Sequence, residues 1–154
     1  AERCVPGTNK SEGPMSLFTK IINGDIPSSK VAGAELWYAF LDINPMREGH
    51  TLVVPKEEKQ RIAQLSPDSR AALLQGVAEV QRRLTAVFGT EDFLVACHDG
   101  PLAGQEVPHV HFHVMPRTPD DGGRSIGAQW PDAPKAKEPD FPALAKLAEK
   151  LQAV

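Results

Sequence analysis

The sequence has little cysteine, no long hydrophobic run and no excess of positive charge, and each shortage excludes a class of protein. The two cysteines, Cys4 and Cys97, form no C-x-x-C pair and supply no disulfide framework, so we expect a reducing, cytoplasmic environment. No apolar stretch approaches the roughly 20 residues of a membrane helix, so we expect no membrane partner. The net charge of −3 gives no overall basic field that would attract nucleic acid.

The length and the N-terminal composition predict the limits of the folded part. A chain of 154 residues is typical of one domain, and such a domain buries enough surface to need no metal or disulfide for stability. Residues 1–14 are polar, rich in Gly and Pro, and without a period. We expect them to be a disordered remnant of an expression tag, with Met15 as the natural start. The prediction is a single domain over 15–154 with a loop-rich C-terminal extension at 118–154.

Helix signals occur at three places. Ser16 is a suitable N-cap for a short helix at 17–22, and Ser66 for a long one that has Pro67 in its first turn and Gly89 at its end. The apolar residues of the long helix recur at helical spacing and are expected on one face: Leu73, Val77, Val80, Leu84 and Val87. A final helix is predicted at about 141–152, with an apolar stripe of Leu144, Leu147, Ala148 and Leu151.

Strand signals lie close together and are separated by tight turns. They are found near Val31 and at 36–42, 50–55, 92–97 and 107–115. Short connections between strands favour antiparallel pairing, and one long helix lies between them in the sequence. We therefore predict an α+β fold with a mainly antiparallel five-stranded sheet, one long helix and a C-terminal helix.

Three of the five histidines alternate with apolar residues in "HVHFHVMP" at 109–116. On a strand, His109, His111 and His113 share one face, and the apolar residues between them face the core. Three interpretations stay open. The strand is a solvated one that happens to carry histidine; or it is a zinc site, because histidines two apart on a strand can chelate a metal; or it serves nucleophilic catalysis at phosphorus, because neutral imidazole is a good nucleophile near pH 7.

The turn before this strand favours the third interpretation. "DGPLAGQ" at 99–105 contains two glycines and a proline, and backbone N–H groups in such a turn can face phosphate oxygens. Gln105 can donate or accept a hydrogen bond at a bridging oxygen. A glycine-rich turn is weak evidence alone, but its place directly before the histidines gives it weight.

The segment "GQEVPHVHFHVMPR" at 104–117 resembles the motif of the histidine triad (HIT) family. Further matches, "FTKIINGDIPSSKV", "AFLDINPMREGHTLVVPK" and "DGPLAGQ", cover most of the chain from Met15 to Arg117. The turn and the ending "VMPR" are more similar to the dinucleoside polyphosphate hydrolases, the fragile-histidine-triad-like branch with its bacterial relatives, than to the phosphoramidases. The resemblance implies an α+β fold whose members commonly dimerise by joining their sheets.

The resemblance also implies roles for the catalytic residues. His111 is expected to attack the α-phosphorus of an adenosine-type nucleotide and form a nucleotidyl-histidine intermediate. His109 would orient the site through hydrogen bonds, and His113 would contact the phosphate. His50 would complete the cluster, and Gln105 would position the scissile phosphate.

Nucleotide binding is implied for a second group of residues. Asp42 matches the position that binds the ribose hydroxyls, and Phe18, Ile22 and Ile43 match positions that surround the base. Gly104 belongs to the phosphate-facing turn. His98 stands where relatives commonly have Asn or Gln, and it is expected to bond a phosphate or the backbone of the site.

Other departures from the family pattern lead to further expectations. Members with an N-terminal zinc site have cysteines where this chain reads "SLFTK", so no metal is expected there. Glu106 stands where some members carry Ser or Thr, and we expect it to point away from the phosphate. Cys97 is expected to be a buried strand residue, and Trp130 a packing residue.

The resulting functional prediction is a nucleotide hydrolase or transferase that acts on dinucleoside polyphosphates. No cofactor is required for the covalent step, although Mg²⁺ could accompany a polyphosphate. Two alternatives stay open: a purine nucleoside phosphoramidase, and a nucleotide-binding signalling module whose turnover is incidental.

Overall fold

The structure is a computed structural model that describes residues 15–134 and 138–154. The predicted tag remnant at 1–14 lies outside the described residues. The chain forms two compact units, one up to Asp121 and the other from Gly122 to Val154. In the described ranges, no helix is both long enough and apolar enough to cross a membrane.

The helices of the first unit begin where their serine caps predict. Helix α1 is Leu17–Ile22 and α2 is Pro67–Phe88. Ser66 Oγ accepts the Ser69 N–H at 3.1 Å, and α2 ends at Gly89 in the left-handed conformation. The predicted buried face is correct up to Leu84, but Val87 is 77% exposed because Phe88, the next residue, packs against the core at this end.

The five predicted strands form one antiparallel sheet, which confirms the α+β prediction. The strands are β1 Lys30–Gly33, β2 Trp37–Leu41, β3 Thr51–Pro55, β4 Phe93–Ala96 and β5 Phe112–Pro116. Their order in the sheet is β1-β2-β3-β5-β4, and every neighbouring pair is antiparallel. The most buried strand is β3, all five residues of which are buried.

The predicted strand at 107–115 is wrong before Phe112. In this part the backbone bonds elsewhere: the His109 N–H donates to the Val107 carbonyl and the Val110 N–H to the Lys59 carbonyl, both at 2.8 Å. The alternation of side chains nevertheless persists, because Val110 and Val114 are fully buried in the core. Hydrophobic spacing therefore predicts the faces correctly but does not reveal where the ladder of hydrogen bonds begins.

The two faces of the sheet carry different apolar clusters. Helix α2 packs on one face against Trp37, Val53 and Val114. It approaches the sheet closely at Gly76, where a Cβ atom would lie 2.8 Å from the Trp37 and Val53 side chains. Helix α1 packs on the other face, where the cluster is Phe18, Ile21, Phe40, Leu52 and Val54. The histidines at 109, 111 and 113 belong to the α1 side, since Val110 and Val114 occupy the α2 side.

Cys97 follows β4 instead of belonging to it, and it is only half-buried. It packs against the cluster of Leu65, Leu73 and Val110. Burial, followed by the charge of Asp99, raises the pKa of the thiol to about 11. The side chain is therefore a protonated thiol at neutral pH, which is not a reactive form.

The second unit contains helix α3, Phe141–Gln152, at the predicted place. Asp140 caps it by accepting the Ala143 N–H at 3.0 Å. No residue of α3 is buried, so its predicted apolar stripe is exposed. Trp130 is 61% exposed, so the described residues do not show the packing role expected for it.

Candidate active site

A cavity of about 420 Å³ opens between α1, the turn after β2 and the loop before β5. This volume is typical of small-molecule sites. Eight of the eleven residues predicted to form the site line it: Phe18, Asp42, Ile43, His50, His98, Gly104, His111 and His113. Three others do not, namely Ile22, Gln105 and His109. The expected position of Ile22 at the base is wrong, because it packs against the α1-side cluster while Ile21 lines the cavity.

His109 lies behind the cavity and is fully buried. Its Nε2 is 2.8 Å from the Pro55 carbonyl oxygen, which can only accept, so Nε2 carries the ring proton. Its Nδ1 is 2.6 Å from Ser16 Oγ and accepts the hydroxyl proton. Burial lowers the pKa of His109, which keeps the ring neutral and this pattern intact.

His111 is held so that one nitrogen stays free. Its Nδ1 lies 2.7 Å from the backbone carbonyl oxygen of His109, and the carbonyl must accept. The neutral ring therefore has its proton on Nδ1 and its lone pair on Nε2. His111 is 7% exposed, and burial lowers its pKa, so the nucleophilic form prevails at neutral pH. The Phe18 ring packs edge-on against it, with centroids 4.8 Å apart.

His113 has the opposite arrangement because its partner is another imidazole. The Met46 backbone N–H donates to His50 Nδ1 at 3.1 Å, so the proton of His50 is on Nε2. That proton is donated to His113 Nδ1 at 2.8 Å, which leaves the proton of His113 on its own Nε2. Burial, with the neighbouring histidines, lowers the pKa of His113 to about 4. His113 thus brings a neutral N–H donor to the cavity.

Asp42, His50 and His113 are the one group of metal-ligating side chains close enough to share an ion among the described residues. Asp42 Oδ2 lies 3.6 Å from His50 Nε2. A metal would need the lone pair of His50 Nε2, but the Met46 N–H already occupies the lone pair of Nδ1. The donor set therefore fits a chain of hydrogen bonds and does not fit a metal ion, which also argues against the zinc interpretation.

The loop before β5 places the neighbouring residues Gln105 and Glu106 differently. Gln105 Nε2 donates to the Gln60 carbonyl at 2.8 Å, and its buried Oε1 has no partner in the described part of the chain. Glu106 is one of the residues that line the cavity, and the expectation that its side chain points away from the phosphate stays a prediction, while Gln105 is turned toward Gln60. His98 lies over Gly104, where a Cβ atom would be 3.4 Å from His98 Nδ1, and Gly104 has a φ of +95°.

The charge of the cavity is set by carboxylates. The described residues that line it include Asp42 and Glu106, and none of them is a lysine or arginine. The histidines that line it with a shifted pKa, which are His50, His111 and His113, are all shifted toward the neutral form. The cavity therefore offers hydrogen-bond donors and a nucleophile to an anion, without a fixed positive charge.

Several residues of the site carry no signal in the sequence. The backbone N–H of Met46 and the hydroxyl of Ser16 act on histidines far away in the chain, so only the tertiary structure reveals them. Ile21 has a signal that could have been used, since it follows Phe18 at helical spacing and shares its face.

Comparisons with known proteins identify the family of the chain. The family model described as "HIT domain" matches residues 23–120. The adenosine 5'-monophosphoramidase hnt1 of Schizosaccharomyces pombe is 40% identical over 122 residues, which are 79% of this chain and 87% of that protein. The adenosine 5'-monophosphoramidase HNT1 of Saccharomyces cerevisiae is 36% identical over 151 residues, covering 95% of this chain and 89% of that protein. The crystal structure of SMU.412c from Streptococcus mutans UA159 matches with a TM-score of 0.80 and 34% identity, over 97% of this chain and 92% of that one.

Proposed function

The chain belongs to the HIT family, and from this premise we propose that it hydrolyses nucleoside phosphoramidates through a nucleotidyl intermediate on Nε2 of His111. The observation that carries the proposal is the bond from His111 Nδ1 to the His109 carbonyl. It leaves the lone pair on the nitrogen that is free to attack, in a ring that lines the cavity.

The reaction has two displacements at phosphorus. His111 Nε2 attacks, the P–N bond of the substrate breaks, and the amine leaves with the bonding electron pair and takes a proton from solvent. Water then attacks phosphorus and gives up a proton to solvent, the P–Nε2 bond breaks with its electron pair returning to Nε2, and a nucleoside monophosphate is released. Throughout, the Nε2–H of His113 donates to a phosphoryl oxygen and stabilises the charge that develops there.

The charge of the cavity supports a phosphoramidate as the substrate. A polyphosphate chain would bring several negative charges to a site that has no lysine or arginine and two carboxylates, Asp42 and Glu106. A phosphoramidate carries negative charge only on the reacting phosphate, because no further phosphates follow it. The two similar proteins named above are adenosine 5'-monophosphoramidases, which supports the same substrate class.

Dinucleoside polyphosphates are the second candidate, because the "DGPLAGQ" turn and the "VMPR" ending resemble the hydrolases of that branch. With such a substrate, Mg²⁺ would offset the charge of the phosphate chain.

The nucleoside is proposed to bind at the α1 end of the cavity. Asp42 would accept hydrogen bonds from the ribose hydroxyls. Its side chain is 20% exposed and is therefore accessible for this role. Phe18, Ile21 and Ile43 would surround the base. His98 and Gly104 would contact the phosphate, and His109 and Gln105 would act from behind the cavity wall.

The experiment that tests the proposal compares two substrates on one protein. AMP release is measured from an adenosine phosphoramidate and from diadenosine tetraphosphate with excess chelator, with His111→Ala as the blank. We expect a higher kcat/KM for the phosphoramidate. Faster turnover of the tetraphosphate would favour the second candidate. Tight nucleotide binding without turnover of either would favour a signalling module.

The predicted homodimer and the predicted cytoplasmic location remain predictions. Sedimentation equilibrium of the purified chain checks the dimer directly.

A further inference from the structure

Ser16 satisfies a buried ring nitrogen, Nδ1 of His109, that no main-chain group reaches. The proton of His109 Nε2 goes to the Pro55 carbonyl, so the lone pair of Nδ1 remains inside the protein. Ser16 Oγ, 2.6 Å away, supplies a proton to it. Without this hydroxyl, the fully buried ring would contain an unpaired acceptor, which is costly.

The proton of the Ser16 hydroxyl is available to His109 because the other contacts of Ser16 are fixed by Glu58. Glu58 Oε1 accepts both the Ser16 backbone N–H and the Thr19 hydroxyl. Ser16 Oγ in turn accepts the Thr19 N–H at 3.1 Å. Two other acceptors compete for this proton, Thr19 Oγ1 at 3.3 Å from Ser16 Oγ and the Glu58 carboxylate, which the Ser16 side chain also helps to stabilise. The contact with His109 Nδ1, at 2.6 Å, is shorter than the contact with Thr19 Oγ1.

The ring of His109 matters to catalysis because its own backbone carbonyl fixes the tautomer of His111. This carbonyl lies before Phe112, outside the hydrogen-bond ladder of the sheet. Residue 109 is therefore held in place by the two hydrogen bonds of its ring instead of by bonds between strands. One bond connects it to Pro55 of β3, and the other to Ser16 at the start of α1.

We propose that Ser16 is a positioning residue for the nucleophile, held in place by Glu58 and acting through His109 on His111. The proposal rests on the nucleophilic role proposed for His111. It differs from the helix-capping role of Ser16, which concerns only the stability of α1.

The chain contains a matched control at the start of α2. Glu57 Oε2 accepts the Ser66 backbone N–H at 3.0 Å, and Ser66 Oγ accepts the Ser69 N–H at 3.1 Å. The adjacent residue Glu58 makes the corresponding bond to Ser16. The N-termini of α1 and α2 have the same capping hydrogen bonds. Of the two capping serines, only Ser16 also hydrogen-bonds to a histidine.

The first test compares Ser16→Ala with Ser66→Ala, and Ser16→Thr as the conservative variant, using steady-state kinetics on the adenosine phosphoramidate. We expect Ser16→Ala to lower kcat about tenfold with KM changed less than about twofold, and Ser16→Thr to restore kcat. Ser66→Ala should keep the wild-type kcat. Equal kcat values in Ser16→Ala and Ser66→Ala would overturn the proposal.

The second test needs no substrate and so separates failure of this proposal from failure of the proposed function. Imidazole ¹⁵N NMR of the free protein reports the tautomer and the hydrogen bonding of each histidine. We expect the His109 Nδ1 signal to shift in Ser16→Ala toward that of an unbonded nitrogen, and to stay in place in Ser66→Ala. An unchanged His109 signal in a folded Ser16→Ala would refute the positioning role, whatever the enzyme turns over.

If Ser16→Ala does not fold, Glu58→Gln and Glu57→Gln replace the serine pair in both measurements. Glu58→Gln keeps an acceptor but loses the charge, so we expect a smaller fall in kcat and a smaller ¹⁵N shift of His109 than loss of the hydroxyl would give. Glu57→Gln should change neither. The same kcat and the same His109 signal in both glutamine variants would count against the proposal.

Discussion

His111 and His113 are two residues apart and line the same cavity, yet they present opposite hydrogen-bonding groups to it. His111 has a lone pair on Nε2 because its Nδ1 meets a carbonyl oxygen, which can only accept. His113 has a proton on Nε2 because its Nδ1 meets the N–H of His50. The difference shows that the partner of the far nitrogen, more than the residue type, decides whether a histidine is a nucleophile or a donor.

The two rings also differ in how they can be altered. The partner of His111 belongs to the main chain, so no single side-chain replacement at the carbonyl removes it. The partner of His113 is the side chain of His50, which is 2% exposed and in turn bonded to the Met46 N–H. A mutation of His50 can therefore change the proton position on His113 while the proton of His111 stays fixed on Nδ1.

The largest effect is expected for His111→Asn, which removes the attacking nitrogen. Turnover of an adenosine phosphoramidate should fall at least about a thousandfold, because no other described side chain offers a positioned nucleophile. Binding of AMP, measured by calorimetry, should stay within a few-fold of the wild type. A variant that kept wild-type turnover would show that the covalent step is not on His111.

A smaller effect is expected for His50→Leu, which frees the tautomer of His113. The proton of His113 would no longer be fixed on Nε2, and the donor to the phosphoryl oxygen would be lost for part of the molecules. We expect kcat to fall about a hundredfold.

The control for His50→Leu is the thermal midpoint, because the replaced ring is buried. A folded variant with unchanged kcat would mean that His113 does not act as a donor in the reaction.

The smallest effect at neutral pH is expected for Asp42→Asn, which also has a defined pH signature. The Asp42 carboxylate raises the pKa values of His50, His111 and His113 against the lowering effect of burial. Without this charge the pKa of His111 falls further, and the neutral nucleophile survives to lower pH. The acid limb of kcat/KM, already below the usual histidine range of about 6.5, should therefore move to lower pH.

Asp42→Asn should also raise KM about tenfold by weakening ribose binding. A 2',3'-dideoxy substrate separates the two effects, since its KM should respond little to the mutation while the shift of the acid limb persists. Movement of the limb toward higher pH would contradict the assigned electrostatic role.

Much of the fold follows from local features of the sequence. The caps at Ser16 and Ser66, the glycine after α2 and the strand pattern predict the elements because each depends on residues near in the chain. The resemblance to the family motif predicts that the histidines lie at one site. The exposure of Val87 could not be predicted from helical periodicity. Phe88 packs against the core at this end of α2, and periodicity does not take the size of a side chain into account.

The parts of the site that escaped prediction depend on contacts between distant residues. The direction of the Gln105 side chain is decided by the Gln60 carbonyl, which is 45 residues away in the chain. The tautomer of His113 is decided by His50, 63 residues away, and beyond it by a backbone N–H. Spacing predicts which face a side chain occupies, but not which of its atoms is protonated.

The late start of β5 has a consequence for the order in which the molecule loosens. Amide protons from Phe112 to Met115 exchange with solvent only when strands separate, whereas the His109 carbonyl that bonds to His111 is released when the ring of His109 loses its two bonds. We therefore expect the segment before Phe112 to open locally, with a lower free energy of opening than that of the sheet. We therefore expect heat to lower the activity of this protein at temperatures where its β-sheet is still intact.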